Sequence, residues 1–335
     1  MLPEPTLTHL ARLTDRTGLF EHACGSEPRP EHGYCTDDAG RALALTCDWD
    51  DPEAGRLAGV YLSFLRYMHV GAGRFALRMG HDPEVTGSGV SDDACGRAIL
   101  GLGAAACADD RRVAEQAAEL FVRCVTFRSP WLHAMAYAAL GAAAALEADP
   151  DQIGAVRLLE TAASMIRLAT GRRNWPEPRL RYANAVLPEC LMVAGARLNH
   201  DAFQRTGIRL LEWLVNEETA PRGHFSFTPT SGTLGIRPGF DQQPIEAGAM
   251  ADAAARAFAL TGDRNWAEVT VRAAEWFTGR NDLGVAMLDG RTGGCFDGLQ
   301  AHGPNPNQGA ESSIAMLTAL RQAHAVTATW TQACR

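Results

Sequence analysis

The feature that most limits how this chain can fold is an alternation between two kinds of helical segment. Apolar residues recur at helical spacing through most of the 335 residues, and strand-like alternation is scarce. The spacing predicts helices over 5–22, 37–47, 53–70, 92–106, 111–126, 130–147, 151–169, 181–197, 200–216, 245–260, 263–278 and 308–325. One kind is small on nearly all faces: DDACGRAILGLGAAACA, WLHAMAYAALGAAAAL, PIEAGAMADAAARAFAL. The other carries charge and a single apolar stripe: RRVAEQAAELFVRCV, AFQRTGIRLLEWLV, NWAEVTVRAAEWFTG. A helix that is small all round suits close packing by neighbours on every side, whereas a striped helix keeps one wet face. Alternating outer and inner helices make six hairpins, and these close into an all-α (α/α)6 toroid. A solenoid would also stack helix pairs, but the chain has no fixed repeat length. An irregular helical domain is the remaining alternative.

The predicted inner helices begin TDDAGR, SDDACGR, SPWLHAM, RYANAV, DQQPIEAGAM and NQGAESS, all polar or aromatic and all at one end of the ring. The first two repeat an acidic pair followed by Gly-Arg-Ala, aligning Asp37 with Asp93 and Arg41 with Arg97. Acids at a helix start cap free N–H groups and complement the helix dipole. Asp37–Arg41 and Asp93–Arg97 also have the spacing of supporting i,i+4 pairs. Capping accounts for one acid per helix, not for two adjacent acids on both helices. A funnel lined from many helix starts is what a binding cleft needs. Two long connections, 217–243 and 279–307, are expected to cover its mouth, with HFSFTP as a short hairpin strand. No linker-like shift divides the chain, so 1–335 reads as one domain with a loose tail over 326–335.

Composition removes several classes of function. The net charge of −8 comes with no basic stripe, which argues against a nucleic-acid groove. No apolar run is long enough to cross a bilayer, and MLPEPTLTHL lacks the features of a secretion signal. All 31 basic residues are Arg, so Schiff-base chemistry, a pyridoxal-phosphate anchor and a P-loop lysine are excluded. Nine cysteines form no CxxC or zinc spacing; Cys47, Cys107 and Cys124 read as small buried hydrophobes in a reducing, cytoplasmic setting. No HExxH or histidine cluster suggests a metal, and no GxSxG elbow suggests a serine nucleophile.

The chemistry that remains is that of paired carboxylates. One can protonate a leaving oxygen while the other activates water, which is glycoside hydrolysis. Asp37, Asp38, Asp92, Asp93, Asp241, Glu246 and Glu311 are the candidates. Asp92 and Asp93 also have a plain structural reading as cap and salt bridge. Glu246 lies in the Ala-rich start opened by Pro244, where a carboxylate is costly unless it is paired or faces a cleft. Gln242 and Gln243 add donors and acceptors beside it. Trp131, Trp175, Tyr182 and Phe240 offer surfaces for stacking on sugar rings, or are simply core and rim. Asn305, Asn307 and Gln308 resemble hydroxyl-binding amides; Arg280 and Asn281 follow a helix end, where C-capping is the ordinary role. His133 reads as a core residue.

The blocks GYCTDDAGRALAL, YLSFLRYM, FDQQPIEAGAM, TGDRNWAEV, WFTGRNDLG, TGGCFDGL and NPNQGAESSIA resemble a bacterial family of six-hairpin glycosidase-like toroids, over about 18–322. Members occur alone or joined to glycosyltransferase domains. The characterised activity nearest to it is an actinobacterial methylmannose polysaccharide hydrolase, an endo-acting α-1,4-mannosidase. The resemblance implies an (α/α) barrel without cofactor and catalysis by acids in the DD and QPIEA blocks, here Asp37, Asp38 and Glu246. It matches Asp93 to the second acidic block, Asp92 less securely, and places Gln308 and Glu311 along the sugar site. Tyr34 and Arg41 lie in the first matching block.

The expectation is therefore an inverting hydrolase of a mannose-containing oligo- or polysaccharide, with Glu246 as acid and Asp37 or Asp38 as base, no metal, and no nucleic-acid or membrane partner. The acid and base assignment could be reversed, and a homodimer is left open. The competing readings are a non-catalytic carbohydrate-binding partner of a glycosyltransferase and a sugar epimerase. Epimerases on this toroid lean on cleft histidines, of which the inner starts offer chiefly His133.

Overall fold

A computed structural model describes residues 2–81, 89–171, 173–229, 232 and 238–333. Among them are twelve α-helices: α1 (Thr8–Arg12), α2 (Thr36–Thr46), α3 (Pro52–Met68), α4 (Asp92–Ala105), α5 (Arg111–Val122), α6 (Leu132–Ala148), α7 (Ile153–Thr170), α8 (Val186–Arg197), α9 (Asp201–Glu218), α10 (Pro244–Thr261), α11 (Arg264–Glu275) and α12 (Ala310–Ala333). The even-numbered helices touch in the order α2, α4, α6, α8, α10, α12 and back to α2, closing an inner ring. The odd-numbered helices pack outside them. This is the (α/α)6 toroid expected from the alternation. Since each hairpin reverses the chain, all inner helices run the same way and their first turns share one end.

The small residues of the inner class let backbones approach closely. A Cβ added to Gly103 on α4 would lie 1.9 Å from the Gly141 carbonyl oxygen on α6, and one added to Gly101 would lie 2.4 Å from that of Gly40 on α2. Three outer helices, α3, α5 and α11, start on acids that cap them. Asp51 accepts hydrogen bonds from the Glu53 and Ala54 N–H groups, Asp110 from Arg112 and Val113, and Asp263 from Asn265. Of the inner helices, α4 is capped by the Ser91 side chain, whereas α2, α6, α8 and α10 carry no side-chain cap. The acidic doublets thus lie inside the first turns and cap nothing.

Four expectations need correction. The helix predicted over 5–22 is confined to Thr8–Arg12, because the Asp15 carboxylate captures the Thr17 and Gly18 N–H groups and turns the chain into bridge-paired segments. Residues 181–185 form a turn ahead of α8, with Ala183 at φ 46°. HFSFTP forms only an isolated bridge, Thr219 to Phe225, with Phe225 and Phe227 stacked in the core. The tail predicted as loose from 326 continues α12 to Ala333, where Val326 packs beside Ala255 and Ala267. The connection 279–307 carries two short antiparallel ribbons, 288–289 with 294–295 and 299–300 with 303–304. Part of the other connection, 230–231 and 233–237, lies outside the described residues. No described helix is long and apolar enough to cross a membrane. Cys124 is buried as expected, but Cys47 is half-buried and Cys107 exposed, each just past the end of an inner helix.

Candidate active site

The repeated acid-pair motif resolves into two interlocked arginine hubs at the first turns of the inner ring. On α2, Arg41 reaches back to its own doublet, with Nη2 2.8 Å from Asp38 Oδ1 and 3.3 Å from Asp37 Oδ1. Its Nη1 crosses the ring seam to Glu311 Oε2 on α12, at 2.8 Å. On α4, Arg97 Nη1 lies 2.9 Å from Asp93 Oδ2 in its own helix and 2.7 Å from Asp37 Oδ2 on α2. The two i,i+4 pairs predicted from spacing are present, and each arginine also holds a neighbouring helix. The Arg97 guanidinium lies over the Tyr137 ring on α6, 4.6 Å from its centroid, and 5.6 Å from that of Tyr182. Four elements of the ring are therefore joined at one level by two buried cations and four carboxylates.

This crowding separates the two members of the first doublet. Burial pushes the Asp37 carboxyl up, but Arg41 and Arg97 together overcome it and hold the group below the usual carboxylate range. Asp38 is pushed well above that range by burial, aided by Asp37 and Glu311 against the pull of Arg41. The same cluster thus drives adjacent acids in opposite directions. The two oxygens that share Arg97, on Asp37 and Asp93, can be no further apart than about 5.6 Å, the sum of their distances to that nitrogen. That is shorter than the ~6.5–9.5 Å of an inverting pair.

Glu246 belongs to a different group. Its Oε1 accepts from the Ala183 N–H at 2.5 Å, and its Oε2 from the Asn184 N–H at 3.2 Å and Nδ2 at 3.1 Å. Burial and the nearby Glu218 push it well above the ordinary value, against those three donors. It is 3% exposed. Glu246 thus braces the turn ahead of α8, and none of its hydrogen bonds reaches Asp37 or Asp38. Asp92 is likewise set apart, paired with Arg74 and accepting from Ser129 Oγ at 2.8 Å, which ties the start of α4 to the segment before α6.

Several other candidates are committed to holding loops. Tyr34 is fully buried, stacks on Phe20 and donates to Asp15 Oδ2 at 2.8 Å, away from the hubs. Gln242 is also fully buried; it donates to Gly239 O and to Asp282 Oδ2 and accepts from the Trp276 indole. The Asn281 amide donates to Trp276 O and Val285 O, closing its own turn. Gln308 spans Thr292 and Asp289, and Asn307 accepts from the Gly25 N–H. Arg280 pairs with Glu275, outside the ring. Asp241 is exposed and Gln243 half-buried at the start of α10. Trp131 is 61% exposed at the start of α6, the helix whose Tyr137 packs on Arg97. Tyr182 faces Arg97 and His133, and burial followed by Asp93 drives its phenol up.

Arg97, Tyr137, Asn184 and Glu218 were not among the expected site residues. The repeated Gly-Arg-Ala was the available signal for Arg97; the other three had none. His133 is a core residue as read: burial, then Arg97 and Arg181, lower it to about 3. Glu21, Cys35 and Asp38 bring ligand atoms within 4.8 Å of one another, but Arg78 grips both Glu21 oxygens, Arg41 holds Asp38, and burial drives the Cys35 thiol up. That donor set fits guanidinium partners better than a metal ion.

No protein family and no curated protein matches this sequence. Its shape does have relatives. The chain superimposes on a cellobiose 2-epimerase from Spirochaeta thermophila with a TM-score of 0.69 at 12% identity, covering 96% of this chain and 94% of that one. A D-mannose isomerase gives 0.66 at 12% identity, with 96% and 95% covered. An α-1,6-mannanase from Salegentibacter sp., in complex with α-1,6-mannotriose, gives 0.63 at 10% identity, with 95% and 96% covered. At such identities the likeness establishes the fold alone.

Proposed function

We propose that this protein is a glycoside hydrolase acting on a mannose-containing oligo- or polysaccharide, with the chemistry carried by the acids of α2 and α4. The observation that carries the reading is the cluster of Asp37, Asp38, Asp93 and Glu311 gathered on Arg41 and Arg97 at the shared end of the inner helices, which pushes Asp37 down and Asp38 up. Asp37, held ionised by Arg41 and Arg97, is the base or nucleophile. Asp38, whose carboxyl burial and the neighbouring acids push up, is the acid that serves the leaving oxygen. The acid role thus moves from Glu246, whose carboxylate oxygens are taken by the turn ahead of α8, to Asp38. The Asp37 and Asp38 oxygens that share Arg41 Nη2 can be no further apart than about 6.1 Å, the sum of 2.8 and 3.3 Å, which favours a retaining route over the ~6.5–9.5 Å separation of an inverting one. The mannanase neighbour adds support, since its inactive variant replaces two adjacent aspartates and this chain has such a pair on both α2 and α4. An endo-acting α-mannosidase on a methylated mannose polysaccharide is the finer form of the proposal and rests on the motif blocks.

A sugar epimerase on the same fold is the competing reading, favoured by the epimerase and isomerase neighbours. Against it, the histidine on the inner starts is His133, and a group lowered to about 3 is a poor proton shuttle near neutrality.

Digestion of a panel of mannans and glucans, with products resolved by mass, separates the readings. New reducing ends that vanish in Asp37→Asn and Asp38→Asn but persist in Glu246→Gln are the expected result. Saturable glycan binding without new ends would mean a binding module, and inversion at C2 of a free sugar would mean an epimerase. Release of mannose alone would refute endo action.

A further inference from the structure

Residues 181–184, ahead of α8, form a turn that closes on itself and is clamped from α10. The Arg181 N–H donates to Asn184 Oδ1 at 2.8 Å, and the Asn184 amide returns to the Arg181 carbonyl at 3.4 Å. Ala183 stands at φ 46°, in the left-handed region that is costly for a residue with a Cβ. Such a backbone persists only where its surroundings over-determine it. Here the clamp is Glu246, whose two oxygens take the Ala183 N–H, the Asn184 N–H and Asn184 Nδ2. A glycine at 183 would adopt the same φ without a clamp, and a carboxyl only 3% exposed is costly to bury. A turn that merely joined two helices would need neither.

What the clamped turn carries is Tyr182. Its ring lies 4.8 Å from that of His133 and 5.6 Å from the Arg97 guanidinium, and its hydroxyl reaches the Asp93 carboxylate. Arg97 is the cation that joins Asp93 to Asp37. Tyr137, which packs on the same guanidinium, is buried, whereas Tyr182 is half-buried. The side chains of Asp37 and Asp93 are also partly open, at 21% and 25%. An aromatic face with a hydroxyl tip beside open carboxylates suits a sugar, which presents C–H groups to the ring and a hydroxyl to the phenol.

We propose that Tyr182 contacts the glycan and decides its affinity, and that Glu246 is the positioning residue that holds Tyr182 in place through the turn. Glu246 thus serves the site from across the ring without touching substrate. The identity of the ligand rests on the hydrolase reading; the brace does not.

The test labels the tyrosine Cζ carbons of the full chain with carbon-13 and follows their titration by NMR, with the Tyr182 signal identified by its absence from Tyr182→Phe. Burial, then Asp93, drives this phenol up in the wild type. In Glu246→Gln and in Asn184→Ala, each shown by circular dichroism to be folded, it should titrate at a pH lower by roughly one or more. On a manno-oligosaccharide, Glu246→Gln and Tyr182→Phe should each raise KM roughly tenfold with kcat within about threefold, and the double variant should be no worse than Tyr182→Phe alone. An unmoved Tyr182 signal in both folded brace variants, or KM effects that multiply in the double variant, would overturn the proposal. A wild type that makes no new reducing ends would remove the hydrolase reading and the glycan contact with it, and the tyrosine signal would still decide the brace.

Discussion

Replacing Gly103 by Ala tests the backbone contact on which the ring and the site both depend. The added Cβ would lie 1.9 Å from the Gly141 carbonyl oxygen and 2.6 Å from the Gly141 Cα, where ordinary contact begins at 3.4 Å. The shortfall is 1.5 Å, and the atoms met are backbone, which cannot swing aside. Helix propensity alone would favour Ala by about 1 kcal/mol. Overpacking in a tight core costs about 1–3 kcal/mol, and the rigid partner places this case at the upper end. The expected net is therefore a destabilisation of about 2 kcal/mol. Gly55 and Gly59 on α3 have nothing within 4 Å of an added Cβ, so Ala at either should stabilise by about 0.5–1 kcal/mol. Urea unfolding reads all three as midpoint shifts at constant slope. The variant should also lose activity while still folded, since parting α4 from α6 draws Arg97 off the Tyr137 ring. A Gly103→Ala protein as stable as the α3 controls would refute the close packing of the inner helices and the account of the site built on it.

Three further outcomes follow from the same structure. Trp131→Ala should raise KM for a glycan roughly tenfold while leaving kcat and the unfolding midpoint nearly unchanged, because the side chain is exposed at the mouth; a loss of stability instead would make it a packing residue. Glu189 on α8 is 8% exposed and is pushed up to about 8 from an ordinary 4.5 by burial and by Asp252 on α10, against the pull of Arg256 on the same helix as Asp252. The folded chain thus keeps a proton that the unfolded chain releases, and this contribution to stability falls as pH climbs through that interval and levels off above it. The wild-type minus Glu189→Gln difference in urea midpoint, followed across that interval with Asp252 and Arg256 unaltered, should show the decline, and a flat difference would contradict it. Arg41→Met should cost more activity than stability, since it releases Asp37, Asp38 and Glu311 together while the ring packing stays intact; kcat against midpoint, measured on one preparation, decides.

The sequence by itself determined the ring. Helix spacing is a local property, and the alternation of all-round small and one-sided segments told inner from outer helices, because only a helix buried on every side gains from Ala and Gly throughout. The i,i+4 acid–arginine pairs were legible for the same reason. Tertiary structure decided the partners. Arg41 meets Glu311 across 270 residues of sequence and Arg97 meets Asp37 across 60, pairings set by how neighbouring helices are rotated about their axes. It also decided which polar residues are available for chemistry. Tyr34, Gln242, Asn281 and Gln308 look like sugar ligands in a string of letters, but their polar groups are engaged inside the protein: Gln242 and Asn281 on loop carbonyls, which irregular connections must satisfy, and Tyr34 and Gln308 on the side chains of Asp15, Thr292 and Asp289. Glu246 was read as a buried carboxylate, which it is, but nothing in its own segment records that the Ala183–Asn184 turn folds against it and supplies its hydrogen bonds.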